Sequence, residues 1–297
     1  MSPWVLLGLG WAAVATGFSA VALGRLLRAR RAPVAGTRAP VLLLRPVDAP
    51  TPRELENLSR PVDYAGELEQ VVVSAYRPEL GPGVRWLPSD PPTPNRKVGH
   101  LLYALEVLPT QGRVVLAVDA DVEVTGALVE ALAAPVAAGA ALSTAAPTPV
   151  EVRGVVGWAV AGLLRHSHHS FRALHAMSAG AKAVCGKALG LSPVAVEELR
   201  GLGDHIGEDL ELAKRLHARG AEVVLAEEPA RVPMEPLRSW RPALERFTRW
   251  MQVLASHRPG LYPTVPLLFT PTLPLGALAL VLGSWELGMA TGVLAGV

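Results

Sequence analysis

The chain has 297 residues, half of them apolar and 18% charged, with a formal net charge of +2. That is long enough for a packed domain with added segments, too apolar for a disordered or coiled-coil protein, and too weakly charged to argue for nucleic acid. The single cysteine, Cys185, excludes a disulfide framework and a Cys-rich zinc site.

Residues 4–24 carry no charge, and Arg25, Arg28, Arg30 and Arg31 follow at once. A helix of that length matches the hydrocarbon thickness of a bilayer, about 30 Å. The arginines lie on its far side and no basic residue precedes it. This favours an uncleaved anchor over a cleaved signal peptide, with the body of the chain cytoplasmic.

Next come short apolar runs alternating with helical patterns. Val41–Leu44, Gln70–Val73 and Val114–Val118 read as strands buried on both faces of a parallel sheet. Thr51-Pro52-Arg53-Glu54 has the form of a capping box with proline at the first helical position. Residues 96–108 place apolar side chains on one helical face at Val98, Leu101, Leu102 and Leu105. Residues 207–219 read as a helix stopped at Gly220, ahead of a strand at 222–225. The alternation predicts a layered α/β domain.

The strand at 114–118 ends in Asp119-Ala120-Asp121. In an extended chain residues i and i+2 face the same way, so both carboxylates can meet one ligand. A buried strand's carboxyl end is where open α/β sheets bind ligands. Two carboxylates holding Mg²⁺ or Mn²⁺, completed by phosphate oxygens, suit a nucleoside diphosphate. The plainer reading is a polar strand end entering a loop. From 154 to 164 an apolar run too short to span reads either as a helix at the membrane interface or as an ordinary core helix. His166, His168, His169 and His175 follow without a carboxylate or cysteine arranged to complete a zinc site.

Gly207-Glu208-Asp209 opens a helix. Acids there complement the helix dipole with no further role, or a fixed carboxylate serves as general base toward a hydroxyl. Arg246, Arg249 and Trp250 share one helical face. Two guanidiniums and an indole can clamp a pyrophosphate; equally, such a group can sit on a helix beside a membrane. From Leu261 to Val297 the only charge is Glu286. Pro263, Pro266, Pro271 and Pro274 break its first half. Residues 275–297 either span or dip into the bilayer and return.

The acidic strand end, the Glu-Asp pair and the R-x-x-R-W helix, in this order and spacing, resemble the membrane-bound inverting glycosyltransferases of the GT-A fold. The chain is most similar to their ceramide glucosyltransferase-like group, with its bacterial relatives that glycosylate lipids. Leu43-Leu44-Arg45-Pro46, Asn95-Arg96-Lys97-Val98 and the stretch from Gly180-Ala181-Lys182 to Gly186 extend the resemblance. It implies a Rossmann-like GT-A domain over 38–256, an anchor with its basic flank at 1–31, and a membrane-associated segment at 257–297. It also implies Asp119 and Asp121 on Mg²⁺ or Mn²⁺, with Lys97, Asp119, Arg246, Arg249 and Trp250 on a UDP-sugar donor. Asp209 takes the place of the base, with Glu208 and His169 on the acceptor side and a membrane lipid as acceptor. The implied location is the cytoplasmic face of a bacterial inner membrane.

One position departs from the group. The aspartate usually found after the second strand is missing, and Ser74-Ala75-Tyr76-Arg77 follow Val73. Three rival readings remain. A polysaccharide synthase would need more spanning helices. A polyprenyl-phosphate sugar transferase shares the aspartates, but the R-x-x-R-W helix speaks against it. A catalytically silent membrane scaffold is the non-enzyme reading.

Overall fold

A computed structural model describes residues 1–29, 38–236 and 239–296, so Arg30 and Arg31 of the expected basic flank lie outside the described residues. The chain runs through α1 (Pro3–Ala29), β1 (Val41–Pro46), α2 (Pro52–Ser59), β2 (Leu68–Ser74), β3 (Val84–Pro88) and α3 (Arg96–Val107). β4 (Val114–Val118), α4 (Gly126–Ala137), β5 (Leu142–Thr144), β6 (Pro147–Val150) and α5 (Gly154–Met177) follow. Then come β7 (Ala188–Leu191), α6 (Pro193–Leu199), α7 (Glu208–Ala218), β8 (Val223–Leu225) and β9 (Ala230–Pro233). The last elements are α8 (Arg241–His257), a π-helical turn at Val265–Phe269, α9 (Thr272–Leu282) and α10 (Trp285–Gly296). They form two compact units. One comprises Pro33–Arg153 and Ser178–Pro236; the other comprises Met1–Ala32, Gly154–Met177 and Leu237–Val297.

The first unit is built on a mixed sheet in the order β3-β2-β1-β4-β7-β5-β8. Its apolar runs are continuous because both faces are covered. Leu42 and Leu44 of β1 enter the core beneath α3, α6 and α7, while Val41 and Leu43 enter the core beneath α4. β4 alternates in the same way, with Val115 and Ala117 on one side and Val114, Leu116 and Val118 on the other. Leu116 is fully buried. Leu116→Ala should therefore lower stability by about 2–5 kcal/mol through lost burial and a residual cavity, read from chemical denaturation. An unchanged midpoint would show that this strand is not in the core.

The sheet is not purely parallel. β7 runs antiparallel to both β4 and β5, and the remaining pairs are parallel. β1 pairs with β2 on one side and β4 on the other. The chain thus leaves β1 in one direction and returns in the other, and such a switch point opens a crevice at the carboxyl ends of the strands. At that edge Thr51 closes the capping box of α2: its hydroxyl accepts from Glu54 N while the Glu54 carboxylate accepts from Thr51 N.

The second unit is helical. Phe18 and Ala22 of α1 pack with Ala173 of α5, and Phe18 meets Phe269 at 6.2 Å between ring centroids. Trp11 donates its indole N–H to Leu267 O at 2.8 Å. α5 joins the short apolar run and the histidines into one helix of 24 residues. The C-terminal apolar segment is a hairpin, not one straight helix. α9 ends on Gly283 in the left-handed region (φ 62°), and Ser284 Oγ accepts from Leu287 N at 3.2 Å to restart the chain as α10. With 11 and 12 residues, each arm is about 17–18 Å long, short of a bilayer's hydrocarbon core. Leu275 and Ala279 of α9 and Leu287 and Leu294 of α10 bury against Ala12 and Ala15 of α1. Among the described residues α1 alone, over Pro3–Arg28, is long and apolar enough to cross a membrane by length and composition.

Candidate functional site

Arg45 ends the apolar run of β1 and is fully buried, which demands partners for its guanidinium. It finds them in the loop after β4. Nε donates to Val118 O at 3.1 Å, and Nη2 donates to Asp119 O at 3.0 Å, Ala120 O at 3.3 Å and Val122 O at 2.8 Å. Burial lowers its pKa to about 10 against the pull of Asp119 and Asp121, so the group stays charged at neutral pH. Asn57 Nδ2 adds a bond to Ala120 O at 3.4 Å. The acidic loop is therefore stapled from below.

Asp119 and Asp121 are not brought together by strand pleating, as their spacing predicts. β4 stops at Val118, and Val122 N donates to Asp119 O at 3.1 Å, closing a turn across the two acids. Above this turn lies a lattice of opposite charges. Lys97 Nζ lies 2.8 Å from Asp119 Oδ1 and 3.3 Å from Glu208 Oε1, and it donates to Gly186 O at 2.6 Å. Lys187 Nζ lies 2.6 Å from Asp121 Oδ2 and 3.6 Å from Asp119 Oδ2. Burial opposes the charged form of each of these groups. The pairing still wins: Asp119 is held below the usual carboxylate range, and both lysines are pushed above their ordinary value. Asp121 Oδ1 is buried and makes no hydrogen bond among the described residues. A bare carboxylate oxygen beside a second carboxylate is the donor set a hard divalent cation takes. No group of three or more His, Cys, Asp or Glu side chains is placed to hold a metal among the described residues. Further ligands would then come from phosphate oxygens or water.

Asp209 lies at the start of α7, whose N-cap Gly207 adopts a left-handed conformation (φ 88°) that side chains resist. Asp209 Oδ2 accepts from Gly186 N at 2.8 Å and Oδ1 accepts from Leu210 N at 2.8 Å. Burial, with Glu208 alongside, pushes its pKa up to about 6 in spite of those N–H donors and Lys97. Such a carboxylate is ionised at neutral pH yet basic enough to take a proton. Glu208 is tied on both oxygens, to Lys97 and, at 3.1 Å, to Asn95 Nδ2. Asn95 also caps α3, accepting from Val98 N at 3.2 Å.

Gly186 is where these groups meet. A Cβ there would stand 3.2 Å from Lys97 Nζ and 3.3 Å from both Asp209 Oδ2 and Glu208 Oε1. Gly186→Ala should fold and yet lose about tenfold or more in turnover, because sub-ångström displacement of positioned groups is costly. Steady-state rates beside a thermal melt check this; unimpaired turnover would mean that the lattice tolerates displacement.

The structure thus gathers Lys97, Asp119, Asp121, Glu208 and Asp209 into one cluster. Arg246, Arg249 and Trp250 lie on α8 and His169 on α5, both in the helical unit. Arg246 and Arg249 are exposed, and Trp250 packs on Phe247 at 5.5 Å between centroids. Sequence reasoning missed Arg45, Asn95 and Lys187 as parts of the cluster. The Gly-x-Lys stretch directs attention to Lys182, which donates to Ser178 O at 3.0 Å; the lysine in contact with the aspartates is Lys187. A charge inside the run Leu42-Leu43-Leu44-Arg45 was the available signal for the first. Burial pushes the Cys185 thiol up to about 12, so it is neutral and no nucleophile. The turn after β2 offers no carboxylate. Ser74 Oγ donates to Tyr76 O at 2.8 Å and accepts from Trp86 Nε1 at 3.1 Å. Asp90 pairs with Arg96 at 2.7 Å.

A mixed α/β sheet with an acidic turn at its switch point and an enclosed, raised-pKa carboxylate beside it frames a protein whose class is glycosyltransferase. The chain belongs to glycosyl transferase family 21, whose profile matches residues 85–296. Among solved structures it is similar to the mannosyltransferase PcManGT from Pyrobaculum calidifontis in complex with GDP-Man and Mn²⁺. The identity is 16%, the TM-score 0.47, and the match covers 96% of this chain and 85% of that one. It is also similar to the bifunctional IspDF from Campylobacter jejuni, at 13% identity and a TM-score of 0.36, over 64% of this chain and 50% of that one. None of the curated proteins matches the chain significantly.

Proposed function

We propose that the protein transfers a hexose from a UDP-sugar to a hydroxyl of a membrane lipid, with inversion at the anomeric carbon. The acceptor is of ceramide, hopanoid or glycerolipid type, and the reaction runs at the cytoplasmic face of a bacterial inner membrane. The observation that carries this reading is Asp209, a carboxylate fixed by two backbone N–H groups within the lysine and aspartate lattice of Asp119 and Asp121. Asp209 takes the proton from the acceptor hydroxyl as that oxygen attacks. One displacement without a covalent intermediate turns an α-linked donor into a β-glycoside.

Asp119 and Asp121 would hold Mg²⁺ or Mn²⁺, which when bound neutralises charge on the departing diphosphate. Lys97, fixed by Asp119, Glu208 and the Gly186 carbonyl, keeps a positive charge on the donor side. We assign Arg246 and Arg249 to the same diphosphate and Trp250 to the walls of the donor pocket. His169 and Glu208 stand on the acceptor side in this reading. Membrane residence is supported by α1 and by the apolar surface of the hairpin, where Leu280 and Val281 are 85% and 82% exposed. Such surface is costly in water and at home in lipid.

Because the base must be ionised, the rate should rise with pH through about 6 and level off above it. A kcat profile between pH 5 and 8 reads this; a rate falling across that range would remove Asp209 from the role. The function itself is tested by incubating membranes bearing the protein with a panel of labelled UDP-sugars and identifying the labelled product by mass spectrometry. A hexosylated lipid supports the reading. Label on a polyprenyl phosphate, or none with any UDP-sugar, overturns it.

A further inference from the structure

Lys187 holds the atoms that a divalent cation would use. Its ammonium lies 2.6 Å from Asp121 Oδ2 and 3.6 Å from Asp119 Oδ2, while Lys97 holds the other Asp119 oxygen at 2.8 Å. Asp121 Oδ1 is buried and has no hydrogen bond among the described residues. Arg45 donates to four carbonyls of the loop that carries these acids, so the backbone beneath them is held in place. A cation entering between the two carboxylates must therefore displace the Lys187 ammonium. Lys187 is 23% exposed at its side chain. Its main chain is anchored, with its carbonyl accepting from Asp119 N at 2.8 Å, whereas its side chain is a flexible four-carbon stem at the edge of solvent. An ammonium that loses a carboxylate in such a place finds an equal partner in a phosphate oxygen.

We propose that Lys187 is a built-in competitor of the divalent cation for Asp121, and that it passes to the donor's diphosphate when metal and nucleotide bind together. The proposal rests on the reading of Asp119 and Asp121 as the metal-holding pair. It makes metal and nucleotide binding cooperative. Metal alone must break an ion pair, whereas metal arriving with a diphosphate gives the displaced ammonium a new partner, and the coupling is reciprocal.

The test measures Mn²⁺ affinity of the full chain in detergent by electron paramagnetic resonance of the free ion, with and without UDP. Wild type is compared with Lys187→Met and Lys187→Gln, and with Lys182→Met. The last removes the same charge from a side chain that donates to Ser178 O instead of an aspartate. Loss of the competitor should tighten Mn²⁺ binding without UDP by about tenfold or more, the scale on which a contacting charge shifts a carboxylate's equilibria. It should also shrink the enhancement that UDP brings. Lys182→Met should do neither. Both Lys187 variants are used so that misfolding of one, seen in its thermal melt, leaves the other to decide. Equal or weaker Mn²⁺ binding in the Lys187 variants overturns the competitor while leaving the metal pair intact. An equal gain in Lys182→Met overturns it too, as a general charge effect. Absence of Mn²⁺ binding in every protein, with or without UDP, removes the metal pair itself and the competitor with it.

Discussion

Asp209→Asn is expected to lower kcat by about 10²–10⁴, the usual worth of a general base, while the affinity for UDP changes no more than a few-fold. The separation follows from what Asp209 touches. Its oxygens meet the backbone N–H groups of Gly186 and Leu210, whereas Asp119 and Asp121 are tied to Lys97 and Lys187. An amide can still accept from one of the two N–H groups, so the start of α7 should keep its shape. It cannot take a proton at neutral pH. The rising limb of the pH profile near 6 should vanish with the carboxylate. Isothermal titration of UDP beside steady-state transfer separates the two effects, and equal losses in both would make Asp209 a binding residue.

Arg45→Met is expected to be the most damaging single change to the acidic loop, although Arg45 is fully buried and is not read as meeting substrate. Methionine fills much of the volume but leaves the carbonyls of Val118, Asp119, Ala120 and Val122 without the guanidinium that satisfies them. With charged hydrogen bonds worth about 1.5–3 kcal/mol each, a loss of at least about 3 kcal/mol is expected, together with loss of Mn²⁺·UDP binding. Arg45→Lys should fold better than Arg45→Met, yet fail to restore the loop, because a point charge cannot reproduce the fork of Nε and Nη2. Chemical denaturation and Mn²⁺·UDP titration report the two parts. Full binding in Arg45→Met would show that the loop holds its shape without the staple.

The parts of this fold legible in the sequence are those fixed by local pattern. β1, β2 and β4 announce themselves because a strand covered on both faces has no polar side to interrupt it. The start of α2 is written in four residues, Thr51 to Glu54, whose side chains close a capping box with the adjacent backbone. β7 is another matter. Ala188-Leu189-Gly190-Leu191 is too short to declare itself, and nothing within it encodes a direction antiparallel to β4 and β5. The sequence leaves open whether residues 275–297 run straight or turn back; the chain turns at Gly283, a residue that composition counts as neutral and backbone geometry uses as a stop.

The cluster divides along the same line. Lys97, Asp119, Asp121, Glu208 and Asp209 stand out as charges at element ends, so their types and order could be read. How they are held could not. The two aspartates meet through a turn instead of a pleat, and that turn is held by an arginine some 70 residues earlier in the chain. Lys187 was hidden by Lys182, five positions before it, because only tertiary contact distinguishes two lysines in one loop.

The anomeric configuration of the product tests the central claim most directly. The purified chain would be supplied with an α-linked UDP-sugar, Mn²⁺ and the lipid acceptor found by mass spectrometry, and the glycolipid examined by nuclear magnetic resonance. A β-linked sugar on a lipid hydroxyl, absent with Asp209→Asn, is the predicted result. An α-linked or phosphate-linked sugar, or undiminished product from the Asp209→Asn protein, would contradict it.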